Sequence, residues 1–140
     1  MKHLSVVVLG ASLALVPATS FAWRAVNLLE VFPAGNGAFE VVSRPGSGAS
    51  NFWCAAGDYA LRQLGAAAAQ RIYIVKPSSR SSQYGGKATV QFSLSPPASG
   101  AADPGYSLSV KVMGDNLTAA FAQQYCHDFD ADKGSMIRRR

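Results

Sequence analysis

The sequence predicts an α+β fold: a single domain with an antiparallel sheet of about five strands, packed against a central helix and a C-terminal helix. Three observations carry this reading. Val90, Phe92 and Leu94, and again Tyr106, Leu108, Val110 and Val112, alternate with polar residues, the period of a half-buried strand. Strands with one solvated face belong to antiparallel sheets covered on the other side. Trp53, Cys54, Gly57, Ala60, Leu61 and Leu64 recur at helical spacing and make one apolar stripe. The chain has 140 residues, of which 49% are hydrophobic and 15% charged, which suits one globular domain and is too apolar for a disordered chain.

In chain order, residues 1–22 have the layout of a secretory signal peptide. Met1-Lys2-His3 is a short positive start, Leu4 to Val16 carries no charge, and Ser20-Phe21-Ala22 sets small residues before a cut at Trp23. The apolar run is shorter than the roughly 20 residues that a membrane-spanning helix needs, and no later stretch is long and apolar enough. The domain is expected over residues 23–137, and Arg138, Arg139 and Arg140 form a basic C-terminal tail.

Ala25 to Phe32 and Ala38 to Ser43 read as two strands joined by Pro33-Ala34-Gly35-Asn36-Gly37, a connection suited to a hairpin. The first is poorly alternating, with the doublets Leu28-Leu29 and Val31-Phe32, so a bulge or burial on both faces is expected. Arg44 to Ser50 is punctuation, and Ser50 or Asn51 is placed to cap the central helix. Asp58 and Arg62 lie four apart on the side away from the apolar stripe, and Gly65 suits the helix end. Arg71 to Lys76 has the β-branched and aromatic content of a strand, and Pro77 to Lys87 reads as a polar loop. After the two alternating strands, Asn116 is positioned to cap a short helix with Leu117, Ala120, Phe121 and Tyr125 on one face.

Two cysteines in an exported chain most simply pair, so a Cys54–Cys126 disulfide is expected between the helices. Closing a loop of about 70 residues stabilises by roughly 4 kcal/mol in the chain-entropy account. The alternative is a free Cys54 with a thiol activated at a helix N-terminus. His127 with Asp128 offers a second way to a small envelope enzyme, although no nucleophile is coupled to them.

Other chemistries are poorly served. Gly46-Ser47-Gly48 between a strand and a helix opens a dinucleotide fingerprint, but Asn51 stands at the third glycine and Lys76 where an acid would hold the ribose. What survives is an anion or ligand site at the helix start, built from Arg44, Gly46, Ser47, Gly48, Ser50 and Asn51, with Tyr73 and Tyr84 as further recognition residues. Asp128, Asp130 and Asp132 alternate like half a calcium loop, but Lys133 and Arg139 occupy the glycine and glutamate positions. Gly48-Ala49-Ser50 begins a nucleophile elbow that Phe52 ends. Neither a cofactor nor a metal is called for, and catalytic residues are not assigned. The net charge of +5 comes mostly from the tail. Lys and Arg are not spread over a folded face as a nucleic-acid domain would have them. The tail itself suits association with an anionic membrane surface.

Arg44-Pro45-Gly46, Phe52-Trp53-Cys54-Ala55-Ala56-Gly57-Asp58-Tyr59 and Arg71-Ile72-Tyr73 together make residues 39–76 resemble a group of small exported alphaproteobacterial proteins of uncharacterised function. The resemblance implies a bacterial, periplasmic or secreted setting and assigns no activity or site. The expectation is an exported, non-catalytic domain that binds a protein or a cell-envelope component.

Overall fold

The computed structural model describes residues 21–103 and 108–127. Its sheet has six strands rather than five: β1 (Trp23–Arg24), β2 (Glu30–Gly35), β3 (Ala38–Val42), β4 (Arg71–Ser81), β5 (Lys87–Ser93) and β6 (Asn116–Thr118). Helix α1 (Ala49–Arg62) lies between β3 and β4, and residues 119–127 form α2. The strand order is β1-β2-β3-β5-β4-β6, and every neighbouring pair is antiparallel. The fold is the α+β class expected, and both helices are present.

Each element has a local cause. The β2–β3 hairpin closes on Asn36 and Gly37, with φ of 52° and 76°. A two-residue turn of the kind that follows strand twist needs positive φ at both positions, which Asn-Gly supplies. The expected first strand does not run from Ala25. Residues 25–29 instead form a tight turn between β1 and β2, in which the Leu28 N–H donates to the Ala25 carbonyl at 2.8 Å and the Ala25 N–H to the Leu29 carbonyl at 2.9 Å. The Leu28-Leu29 doublet marks this turn, and Leu28 itself sits at φ 70°.

Strand β4 runs past the expected boundary, through Pro77 to Ser81. Register shifts between Ile74 and Lys76 and between Lys76 and Ser79 put Pro77 at a bulge, where its missing N–H breaks no ladder bond. The strand expected over 106–112 is not formed at residues 108–112, and residues 104–107 lie outside the described residues. Two carbonyls of this segment are used differently: Ser109 accepts from Trp53 Nε1 at 3.2 Å, and Val110 accepts from the Ser78 N–H at 2.8 Å. The alternation there misleads, because Val112 is left 48% exposed. Asn116, read as a helix cap, instead opens β6, and Thr118 caps α2 by accepting from the Phe121 N–H at 3.3 Å.

The core fills the space between one sheet face and α1. Val31, Phe39, Val41, Ile72, Ile74, Val90 and Phe92 meet Phe52, Trp53, Ala56, Tyr59 and Ala60. Aromatic rings pack edge to face or tilted, with Trp53 at 5.0 Å from Phe92 and Phe39 at 4.7 Å from Tyr59, geometries that suit the ring quadrupole. Trp23 continues this cluster, 5.3 Å from Tyr59 and beneath the Arg62 guanidinium.

Helix α1 is buried continuously from Phe52 to Ala60 because α2 covers its far side. Gly57 makes that approach possible: a Cβ there would stand 2.5 Å from the Gln123 backbone N and 2.9 Å from the Ala119 carbonyl O. Ala119 and Ala122 are the buried small residues opposite. One turn earlier, Cys54 and Cys126 form the expected disulfide.

Asp58, expected on the side of α1 away from the apolar stripe, lies in the same junction and is only 1% exposed. Its carboxylate accepts from the Val26 N–H at 2.9 Å, from Arg62 Nη1 at 3.2 Å and from Gln123 Nε2 at 3.3 Å. It therefore joins the 25–29 turn, α1 and α2.

Candidate functional site

The loop from Arg44 to Asn51 spends its polar groups on itself. The Arg44 N–H donates to Ser47 Oγ at 2.9 Å, and the Ser47 N–H donates to the Arg44 carbonyl at 3.0 Å, closing a turn. Gly46 takes φ 82° inside it. The helix cap is Gly48, not Ser50 or Asn51. Asn51, three residues into the helix, accepts the Gly48 N–H on its side-chain oxygen at 2.8 Å, the return half of a capping box. The Asn51 carbonyl is in turn held by Asn27 Nδ2 at 2.8 Å, which anchors the 25–29 turn to the helix start. Of the six residues expected to form an anion site, Arg44 is the one that lines the cavity formed where the neighbouring strands end.

That cavity has a volume of about 210 Å³ and is lined by Arg24, Leu28, Glu30, Val42, Ser43, Arg44 and Lys87. It lies where β1, β2, β3 and β5 end together. Register explains the assembly. Arg24 faces Glu30 and Glu30 faces Val42, and Val42 faces Thr89, two residues from Lys87 on the same strand face. Since Trp23, Val31, Val41 and Val90 point into the core, these neighbours belong to the sheet face turned away from the helices. Arg44 follows directly where β3 ends.

Three cations share this cavity with one acid. Arg24 Nη2 lies 3.4 Å from Glu30 Oε1, an exposed contact that water and salt weaken. The rim is apolar at the 25–29 turn, where Leu28 is 43% exposed. The arrangement suits an anionic group held by exposed guanidinium and ammonium donors.

Tyr84 stands elsewhere on this sheet face. Its ring lies 5.1 Å from Phe32, and burial, then the charge and hydrogen bonding of the Glu40 carboxylate, push its hydroxyl above the ordinary tyrosine range. Tyr73 is half-buried on β4 and faces Asn116 of β6. Neither tyrosine lines the basic cavity, so the structure does not gather the expected recognition residues into one place.

The thiol alternative fails, because Cys54 is half of the disulfide and buried. His127 is exposed at the end of α2, whereas Asp128, its proposed partner, lies outside the described residues. The same holds for Asp130, Asp132 and the Arg138–Arg140 tail. Among the described residues, no group of three His, Cys, Asp or Glu could hold a metal ion, and no helix is long and apolar enough to cross a membrane.

Arg24, Glu30 and Lys87 were not legible as site residues. In sequence they are isolated charges, and the β1–β2, β2–β3 and β3–β5 pairings bring them together. Comparison with known proteins found no matching family model, no matching curated protein and no matching solved structure.

Proposed function

We propose that this chain is an exported, non-catalytic binding domain that takes an anionic group of a protein or envelope component into the cavity of Arg24, Arg44 and Lys87. The single observation that carries the reading is the gathering of three cations around one 210 Å³ cavity with Glu30 as the one acid in its lining. Export is supported by the signal-like layout of residues 1–22 and by a disulfide compatible with an oxidising compartment. The same features support a periplasmic or secreted location. The rigid scaffold suits binding, since ligands are commonly held by loops and strand ends on a fixed frame.

The test is a titration of the isotope-labelled protein with inorganic phosphate, followed by amide chemical shifts. Saturable shifts at Arg24, Arg44 and Lys87 are expected. The double variant Arg44→Ser with Lys87→Ser should lose them while its stability stays within about 0.5 kcal/mol, as usual for surface changes. Absence of shifts, or shifts that persist in the variant, would overturn the reading. Export is checked separately by intact mass, which should start at Trp23.

A further inference from the structure

We infer that the anionic group is a phospholipid headgroup, and that the turn of residues 25–29 seats Leu28 at the membrane surface while the cavity holds the headgroup. The inference rests on the binding reading above and adds the partner.

Three features of the turn point to it. First, burial alternates through the turn: Ala25, Asn27 and Leu29 are buried, whereas Val26 is 51% and Leu28 43% exposed. The turn thus leaves two apolar side chains exposed. Second, Leu28 occupies the left-handed region at φ 70°, which a branched side chain rarely adopts and glycine or asparagine adopts readily. The leucine held in this conformation is left 43% exposed. Third, the turn is rigid. Two backbone hydrogen bonds close it, Asn27 anchors it to α1, and the Val26 N–H is fixed by buried Asp58. An exposed leucine held in a strained, well-anchored turn is preorganised for an apolar medium outside the chain.

Charge supplies the other half. Leu28 itself lines the cavity with Arg24, Arg44 and Lys87, so the apolar tip and the cations act on one ligand. At about 210 Å³ the cavity is smaller than the roughly 300–1,000 Å³ usual for whole small-molecule ligands. That size suits one phosphate-bearing headgroup whose acyl chains stay in the bilayer. Surface association of this kind combines buried apolar area with attraction to anionic lipid.

The experiment is co-sedimentation of the exported chain with vesicles of equal parts phosphatidylglycerol and phosphatidylcholine, against phosphatidylcholine alone. Binding to the anionic vesicles only, lost at high salt, is expected. Arg44→Ser with Lys87→Ser should weaken it roughly thirtyfold, from about 1 kcal/mol for each cation near the surface. Val26→Ser removes an exposed apolar side chain of the turn that lies outside the cavity lining. It should weaken vesicle binding while leaving the phosphate-induced shifts intact, a pattern that a folding defect or a soluble-phosphate site would not produce. Phosphate shifts without vesicle binding would overturn the membrane inference and leave the anion site standing. Loss of both would overturn both. Vesicle binding that disappears on deletion of Arg138–Arg140 but survives the cavity variants would also overturn it.

Discussion

The junction between α1 and α2 and the basic cavity on the opposite sheet face are built on different terms. At the junction, a glycine lets two backbones touch, a disulfide ties them, and a buried carboxylate has three donors. At the cavity, exposed cations surround open space, and the one ion pair between lining residues is solvent-exposed. Stability is concentrated where groups are buried and mutually satisfied, whereas affinity for a ligand needs charges left available. The difference teaches that this small domain keeps its buried, mutually satisfied groups and its cluster of exposed charges on opposite sides of one sheet.

The sharpest way to break the comparison is to untie the junction. Replacing both cysteines, Cys54→Ala with Cys126→Ala, should cost about 4 kcal/mol, read from urea unfolding, while the phosphate-induced shifts at Arg44 and Lys87 remain. Gly57→Ala should cost about 2–3 kcal/mol, because its Cβ meets backbone rather than a movable side chain. The same substitution should cost less in the cysteine-free background, where α2 is free to back away; a double-mutant cycle measures the difference. Asp58→Ala leaves the Val26 N–H and the Gln123 amide without their acceptor and should lower stability by about 2 kcal/mol. Amide hydrogen exchange should show the loosening at the 25–29 turn as well as at α2.

The smallest expected effect belongs to the other face and has the opposite sign. Thr89 is buried on the outer sheet face, and its hydroxyl has no hydrogen-bond partner among the described residues. Thr89→Val keeps the shape and removes the unpaired hydroxyl, so a gain of about 1 kcal/mol is expected. A higher melting temperature with unchanged phosphate binding would sharpen the separation; destabilisation would show that the hydroxyl has a role the contrast misses.

Legibility in the sequence divides along a similar line. The α1 stripe, the cysteine pairing and the alternation of Val90 and Phe92 were readable because each depends on local period or on chemistry. Asn116 to Thr118 was not, since three residues that begin with a good cap carry no strand period, and their pairing with β4 is a tertiary fact. Residues 108–112 alternate well yet form no ladder, because an adjoining tryptophan and β4 claim two of their carbonyls. The burial of Asp58 is not readable locally, because its partners Val26 and Gln123 are far away in the chain. The cavity was legible only at Arg44, which follows a strand. Arg24 and Lys87 join it through a strand order that no local pattern encodes.

That strand order also governs how the chain can assemble. Because β3 pairs with β5 rather than with β4, Ala38 must wait for Ser93, and the far edge of the sheet needs Asn116 to Thr118. Cys126 arrives last of all. A chain lacking residues 119–127 would leave one side of α1 bare and Cys54 without a mate. Such non-local pairing slows folding. The bond between Cys54 and Cys126, 72 residues apart in sequence, then seals the assembled frame.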